Sequence, residues 1–233
     1  MSFLGEVLKE ALNVLGDFGP ALREVLWLTL VVSGVATLIG VVLGVPLGMW
    51  LGLERFRGRG VLLTLVNTGM GIPPVLAGLL LLLLLWAEGP LGSIDALFTP
   101  GAMIAAQALL AVPIAAGLTA AAAGNLSGDA REQLAALRLP RFRRGWVAGV
   151  EVWPGIAAAI AAAFGRVISE VGAVLVVGGN IKGETRVLTT AIVQEARQAR
   201  FGAAVALGFL LLVIAVVVNG VITWLQLKEP RHA

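Results

Sequence analysis

At 233 residues, 58% hydrophobic, 13% charged and with a mean hydropathy of +0.94, the chain is too apolar for a soluble domain, which carries about a quarter charged residues. Its net charge of +3 would suit nucleic acid, but the arginines cluster at the ends of apolar runs, so membrane orientation explains them and no nucleic-acid partner is expected. The absence of cysteine excludes disulfides and thiolate metal sites, and the one histidine, His232, has no partner for zinc or acid–base chemistry, so no metal site is expected.

Residues 1–20 read as an amphipathic interfacial helix, with Phe3, Val7, Leu8, Ala11, Leu12 and Leu15 on one side and Glu6, Lys9, Glu10 and Asp17 elsewhere. Gly19-Pro20 breaks it. Acids throughout and no uninterrupted apolar core argue against a signal peptide. Span one covers residues 21–52. Gly40, Gly44 and Gly48 repeat every fourth position, a spacing that lets another helix approach closely, and Pro46 predicts a kink. Span two, residues 61–86, is interrupted by GMGIPP at 69–74. Adjacent prolines inside a span are tolerated where protein or a water-lined path satisfies the freed backbone, so the break reads either as a path lining or as a static kink. Span three covers 101–123, span four 146–177 and span five 201–226, with a mixed segment at 178–200.

The polar interruption at 124–145, GNLSGDAREQLAALRLPRFRRG, reads as a helix over about 126–141. Ser127 is its N-cap, Asp129 puts an acid in the first turn, and Pro140 bars continuation. Ala130, Leu134 and Leu137 form one apolar stripe, suited either to a groove on a partner or to lipid headgroups. Span four carries Arg166 and Glu170 four residues apart. Each would be costly alone in the bilayer, so they read as an internal pair or as a path lining, with Arg166 offering a cation to a passing anion. After them, Gly172, Gly178, Gly179, Asn180 and Gly183 predict backbone that leaves helix geometry. Thr185, Arg186, Thr189 and Thr190 accompany a short return helix over 188–197. This end reads either as a donor set for an oxyanion or docking face for a carrier, or as a solvated loop.

With the loop at 53–60, the interruption and the tail on one side, that side holds ten Lys/Arg against six on the other. The positive-inside rule then puts the 124–145 segment and the C-terminus in the cytoplasm and the N-terminus outside. GGNIKG at 178–183 lacks the spacing and the Lys-Ser/Thr ending of a phosphate-binding loop, so ATP hydrolysis by this chain is not expected, and no nucleophile set suggests an enzyme. Only seven residues, 227–233, follow Gln226, a cytoplasmic tail with no room for a regulatory domain.

The interruption with span four resembles the inner-membrane permeases of ATP-binding-cassette importers, whose cytoplasmic loop carries an EAA–three residues–G pattern on a coupling helix. Asp129, Ala130 and Arg131 stand at the EAA positions, Ala135 at the glycine and Phe142 where an aromatic is common. FGRVISEVGAVLVVGGNIKGETRVLTTAIV, residues 164–193, is similar to a segment of molybdate, tungstate and sulfate importers. Its matching residues are Glu170, Gly172, Ala173, Gly179, Asn180, Thr185 and Thr190. The wording around Ser169-Glu170 most resembles tungstate permeases.

The resemblance implies an all-α integral membrane protein, five transmembrane helices in the type I importer permease (MetI-like) architecture over residues 21–226. Coupling residues would be Asp129, Ala130, Arg131, Leu134, Ala135, Leu137 and Arg138. Path or outer-face residues would come from Arg166, Ser169, Glu170, Asn180, Thr185, Arg186 and Thr190. Implied partners are a second copy of the chain, two cytoplasmic ATPases holding ATP and magnesium, an external oxyanion-binding protein and the lipid bilayer of the inner membrane. The cargo would be tungstate, with molybdate or sulfate as alternatives. A channel or carrier working without ATP is the rival from another class.

Overall fold

The computed structural model describes residues 3–16 and 19–228, and the described residues contain helices and turns with no strand. Asp17 and His232 lie outside the described residues, as do the side chains of Ala135, Arg141 and Phe142. The helices are α1 (Phe3–Gly16), α2 (Pro20–Leu53), α3 (Arg59–Met70), α4 (Pro74–Leu85), α5 (Pro100–Gly124) and α6 (Gly128–Ala136). They continue as α7 (Arg141–Glu151), α8 (Trp153–Ile168), α9 (Gly172–Gly178), α10 (Leu188–Arg197) and α11 (Phe201–Lys228). Three of them, α2, α5 and α11, are each long and apolar enough to cross a membrane. Five spans result if α3 with α4 and α7 with α8 each form one broken span.

Two compact units divide the chain. The first takes its residues from Met1–Ala36, Pro73–Gln107 and Val167–Val217, the second from Thr37–Ile72, Ala108–Arg166 and Val218–Ala233. In the second unit the four-residue glycine repeat meets the alanine-rich α5. A Cβ on Gly44 would lie 2.7 Å from the Val112 carbonyl oxygen and 2.8 Å from the Ala115 Cβ. Only hydrogen fits there, so the two backbones approach as small-residue packing allows in lipid. Both α2 and α5 stay helical through their internal prolines, Pro46 and Pro113.

In the first unit, α1 is more than a surface helix. Ala11 is buried, Phe3 meets Phe201 edge-on at 6.0 Å between centroids, and Glu10 accepts a hydrogen bond from the Gly202 N–H at 3.3 Å. Its expected apolar side is therefore divided: Ala11 packs inward, while Phe3, Leu8 and Leu12 remain largely exposed. The N-terminal end of α2 joins α10 and α11 in a small core of Leu188, Ala191 and Leu207, flanked by Leu22, Val25 and Leu26.

Span four departs from the expected continuous helix over 146–177. It is broken between α7 and α8, with a bend of 82° between Arg143–Glu151 and Trp153–Ile168, and broken again at 169–171. Pro154 explains the first break, because it cannot donate to the Val150 carbonyl and its ring would clash there. Span two is broken as expected, ending at Met70 and restarting at Pro74.

Candidate functional site

The expected coupling helix over 126–141 is shorter, Gly128–Ala136. Ser127 caps it as its residue type predicts, its hydroxyl accepting from the Ala130 N–H at 3.2 Å. The helix stops before Pro140 is reached, because Arg138 takes a left-handed conformation with φ 46°. The apolar stripe is split by this ending. Leu134 is buried in a core with Met49, Ala123, Ala148, Val152 and Ile156, Ala130 is half-buried, and Leu137 is exposed. Asp129, Leu137 and Arg138 are thus left on the outer side of the segment.

Arg131 has a role that its place in the motif did not reveal. Its guanidinium donates to the carbonyls of Gly124 at 2.7 Å, Leu126 at 3.2 Å and Ala123 at 3.3 Å. Those carbonyls lie at and just beyond the C-terminal end of α5, where the last turn has no intrahelical donors and a cation also meets the negative end of the helix dipole. Arg131 therefore fastens α6 to α5. Nearby, Arg59 caps α2 through the Leu51 carbonyl at 2.7 Å, and Arg144 pairs with Glu54. Both contacts were hidden in what read as an undifferentiated run of orienting charge.

The second group of expected residues lies at 166–190. Helix α8 ends at Ile168, so Arg166 and Glu170 do not stand four apart on one continuous helix. Arg166 is half-buried, Ser169 exposed and Glu170 buried. Glu170 Oε1 accepts from the Ala173 N–H at 3.1 Å, and its backbone carbonyl accepts from the Thr189 hydroxyl at 2.9 Å. Glu170 thereby holds the first turn of α9 and ties it to α10. Gln107, unnoticed in the sequence, is buried in α5 and donates to the Val167 carbonyl at 3.1 Å, which also accepts from the Glu170 N–H at 3.1 Å in the turn that ends α8.

The loop that follows is built by its own polar side chains. Gly179, Asn180 and Gly183 all have positive φ. Arg186 donates to Asn180 twice, to Oδ1 at 3.2 Å and to the backbone carbonyl at 3.3 Å. Thr185 is buried, accepts from the Ile181 N–H at 2.9 Å and donates to the Gly178 carbonyl. Thr190 is buried too, its hydroxyl accepting from the Val187 N–H at 3.1 Å. Thr185 and Thr190 thus spend their hydroxyls on the backbone, whereas Lys182 is exposed and Arg186 half-buried. Lys182, Arg186 and Arg200, with Glu24 and Glu195, line a cavity of about 370 Å³ beside the loop.

The model of the family described as binding-protein-dependent transport system inner membrane component matches residues 44–228. A tungstate uptake system permease protein, TupB, of Peptoclostridium acidaminophilum is 35% identical over 97% of this chain and 99% of its own length. A probable anion ABC transporter permease protein of Haloferax volcanii is 40% identical over 82% of this chain and 84% of its own. Further relatives carry the names of sulfate and molybdenum permeases. Among solved structures, an inward-facing form of the MetNI methionine ABC transporter shares the fold, with a TM-score of 0.66 at 18% identity over 97% of this chain and 96% of that one.

Proposed function

Because this chain belongs to the family of binding-protein-dependent transport system inner membrane components, we propose that two copies form the transmembrane path of an ATP-driven importer for a tetrahedral oxyanion, tungstate before molybdate or sulfate. The observation that carries this reading is the nearly end-to-end likeness to a tungstate uptake permease. Relatives named for molybdenum and sulfate keep those two anions as the alternatives.

In this reading each copy rests on a cytoplasmic ATPase through α6 and the turn after it. The ATPase holds ATP and magnesium, and this chain binds no cofactor. The arginine-rich 53–60 and 124–145 segments face the cytoplasm with the C-terminus, and the N-terminus lies outside. An external binding protein delivers the anion to the 178–187 loop. ATP binding draws the two α6 segments together and opens the path outward; hydrolysis then resets it. The burial of Leu134 and the grip of Arg131 on the end of α5 support this coupling, since displacement of α6 passes to the body of the second unit instead of dissipating in a loose loop. Among the path candidates, Arg166 supplies the cation.

The test is uptake of radiolabelled tungstate by cells carrying the chain with its neighbouring ATPase and binding-protein genes, with unlabelled molybdate and sulfate as competitors. Uptake that needs the ATPase and is displaced first by tungstate is expected. Displacement first by molybdate or sulfate would move the cargo to that anion, and uptake without the ATPase would overturn the importer reading. Leu137→Asp, on an exposed side chain, should abolish co-purification of the ATPase while leaving the permease folded.

A further inference from the structure

In the second unit, α2, α7 and the start of α8 enclose an apolar groove of about 650 Å³, open along one side and in the size range of sites that hold a drug-sized ligand. Trp50, Trp146 and Trp153 wall it, and Met49, Gly149 and Ile156 are among its other lining residues. At one end stands the Glu54–Arg144 ion pair. None of these residues takes part in the coupling or loop roles described above, apart from the packing of Met49, Trp153 and Ile156 in the core around Leu134.

The placement of α7 identifies the environment of the groove. With an 82° bend separating it from α8, α7 lies near the membrane plane when α8 stands along the normal. Its sequence begins RFRR and continues to Trp146, which is 73% exposed, and Val150, which is 60% exposed. Cations at one end and exposed indole and valine beyond are the pattern of a helix seated at the headgroup boundary. Trp50, stacked on Phe56 at 4.4 Å between centroids, supplies a second aromatic at the same end as Glu54.

We propose that this groove binds one anionic glycerophospholipid, an acyl chain lying between the tryptophans and the phosphate held at the arginine end. Charge selects the occupant. Arg144 already neutralises Glu54, so exposed Arg55 and Arg57, one and three residues further along the same loop, and exposed Arg143 leave that end net positive. An anionic headgroup complements them while they remain hydrated. An apolar protein surface would have to strip water from all three. The reading depends on membrane placement of α8 and not on the cargo or on the ATPase.

The experiment is native mass spectrometry of the full chain in detergent, titrated separately with phosphatidylglycerol and phosphatidylcholine. Phosphatidylglycerol should bind at least about five-fold more tightly, the preference that one surface arginine confers. Arg143→Gln should reduce that preference. Gly149→Leu should weaken binding of phosphatidylglycerol about ten-fold, equivalent to losing contact with about two methylenes. A Cβ at Gly149 meets nothing closer than 3.9 Å, so this variant fills the groove without disturbing the fold. Equal binding of the two lipids, or undiminished binding by Gly149→Leu, would overturn the proposal. So would a Gly149→Leu chain that changes its oligomeric state and keeps its lipid, since a second copy would then be the occupant.

Discussion

The Thr29 hydroxyl, on α2, accepts a hydrogen bond from the Leu188 N–H at 2.9 Å, although the two residues are 159 apart in sequence. The same hydroxyl donates to the Val25 carbonyl at 2.7 Å, so one buried side chain joins the first span to the start of α10. Leu188 opens α10, where a helix N–H has no partner of its own. Thr29→Val keeps the shape and strands that buried donor. It should lower stability by about 1–3 kcal/mol, and Thr29→Ser by much less. Thermal unfolding in detergent, followed by tryptophan fluorescence, reads the difference.

Gly44→Val should be among the most damaging single changes in the second unit. The added Cβ falls on the Val112 carbonyl and the Ala115 methyl, forcing α2 away from α5 at a cost of about 1–3 kcal/mol. A methyl group on Gly34, by contrast, would meet nothing within 4 Å. Gly34→Ala should therefore be neutral or stabilising by about 0.5–1 kcal/mol, since alanine holds a helix better than glycine. Side-by-side melting curves test the contrast.

Arg131→Ala removes the donor shared by three carbonyls at the end of α5. A loss of about 1–2 kcal/mol is expected. The more telling outcome is functional: the ATPase should still co-purify, because the exposed side of α6 is untouched, while uptake per folded permease falls. Loss of ATPase binding in this variant would assign Arg131 to the contact surface instead.

Glu170→Ala should destabilise by about 1 kcal/mol by freeing the first turn of α9, while Glu170→Gln, which keeps an acceptor for the Ala173 N–H, should be milder. Uptake normalised to folded protein should stay close to wild type in the glutamine variant. Equal and complete loss of uptake in both variants, at unchanged stability, would return Glu170 to the path lining.

Asn180 holds φ 55° and accepts from Arg186. Alanine would meet the left-handed penalty of roughly 1–2 kcal/mol and lose the side-chain acceptor; glycine would lose only the acceptor. Trypsin cleavage after exposed Lys182 should accelerate in the order wild type, Asn180→Gly, Asn180→Ala, measured by mass spectrometry of the nicked chain.

The sequence alone determined the elements whose signal is local. Long apolar runs bounded α2, α5 and α11 to within two residues, Ser127 announced a helix start, paired prolines announced the break before α4, and the return helix over 188–197 was read at its observed ends. These depend on backbone chemistry and hydropathy within one turn or one span. The fourth span was misread as continuous because its apolar run masked Pro154, whose missing N–H acts whatever the hydropathy around it. Only the tertiary structure decided what the polar residues do. Arg131, Glu170 and Thr29 each serve a backbone group left unpaired by a helix end or a turn. In an apolar environment such groups must find a partner, but which side chain reaches them depends on how the chain folds back on itself, and no spacing along the sequence encodes that distance.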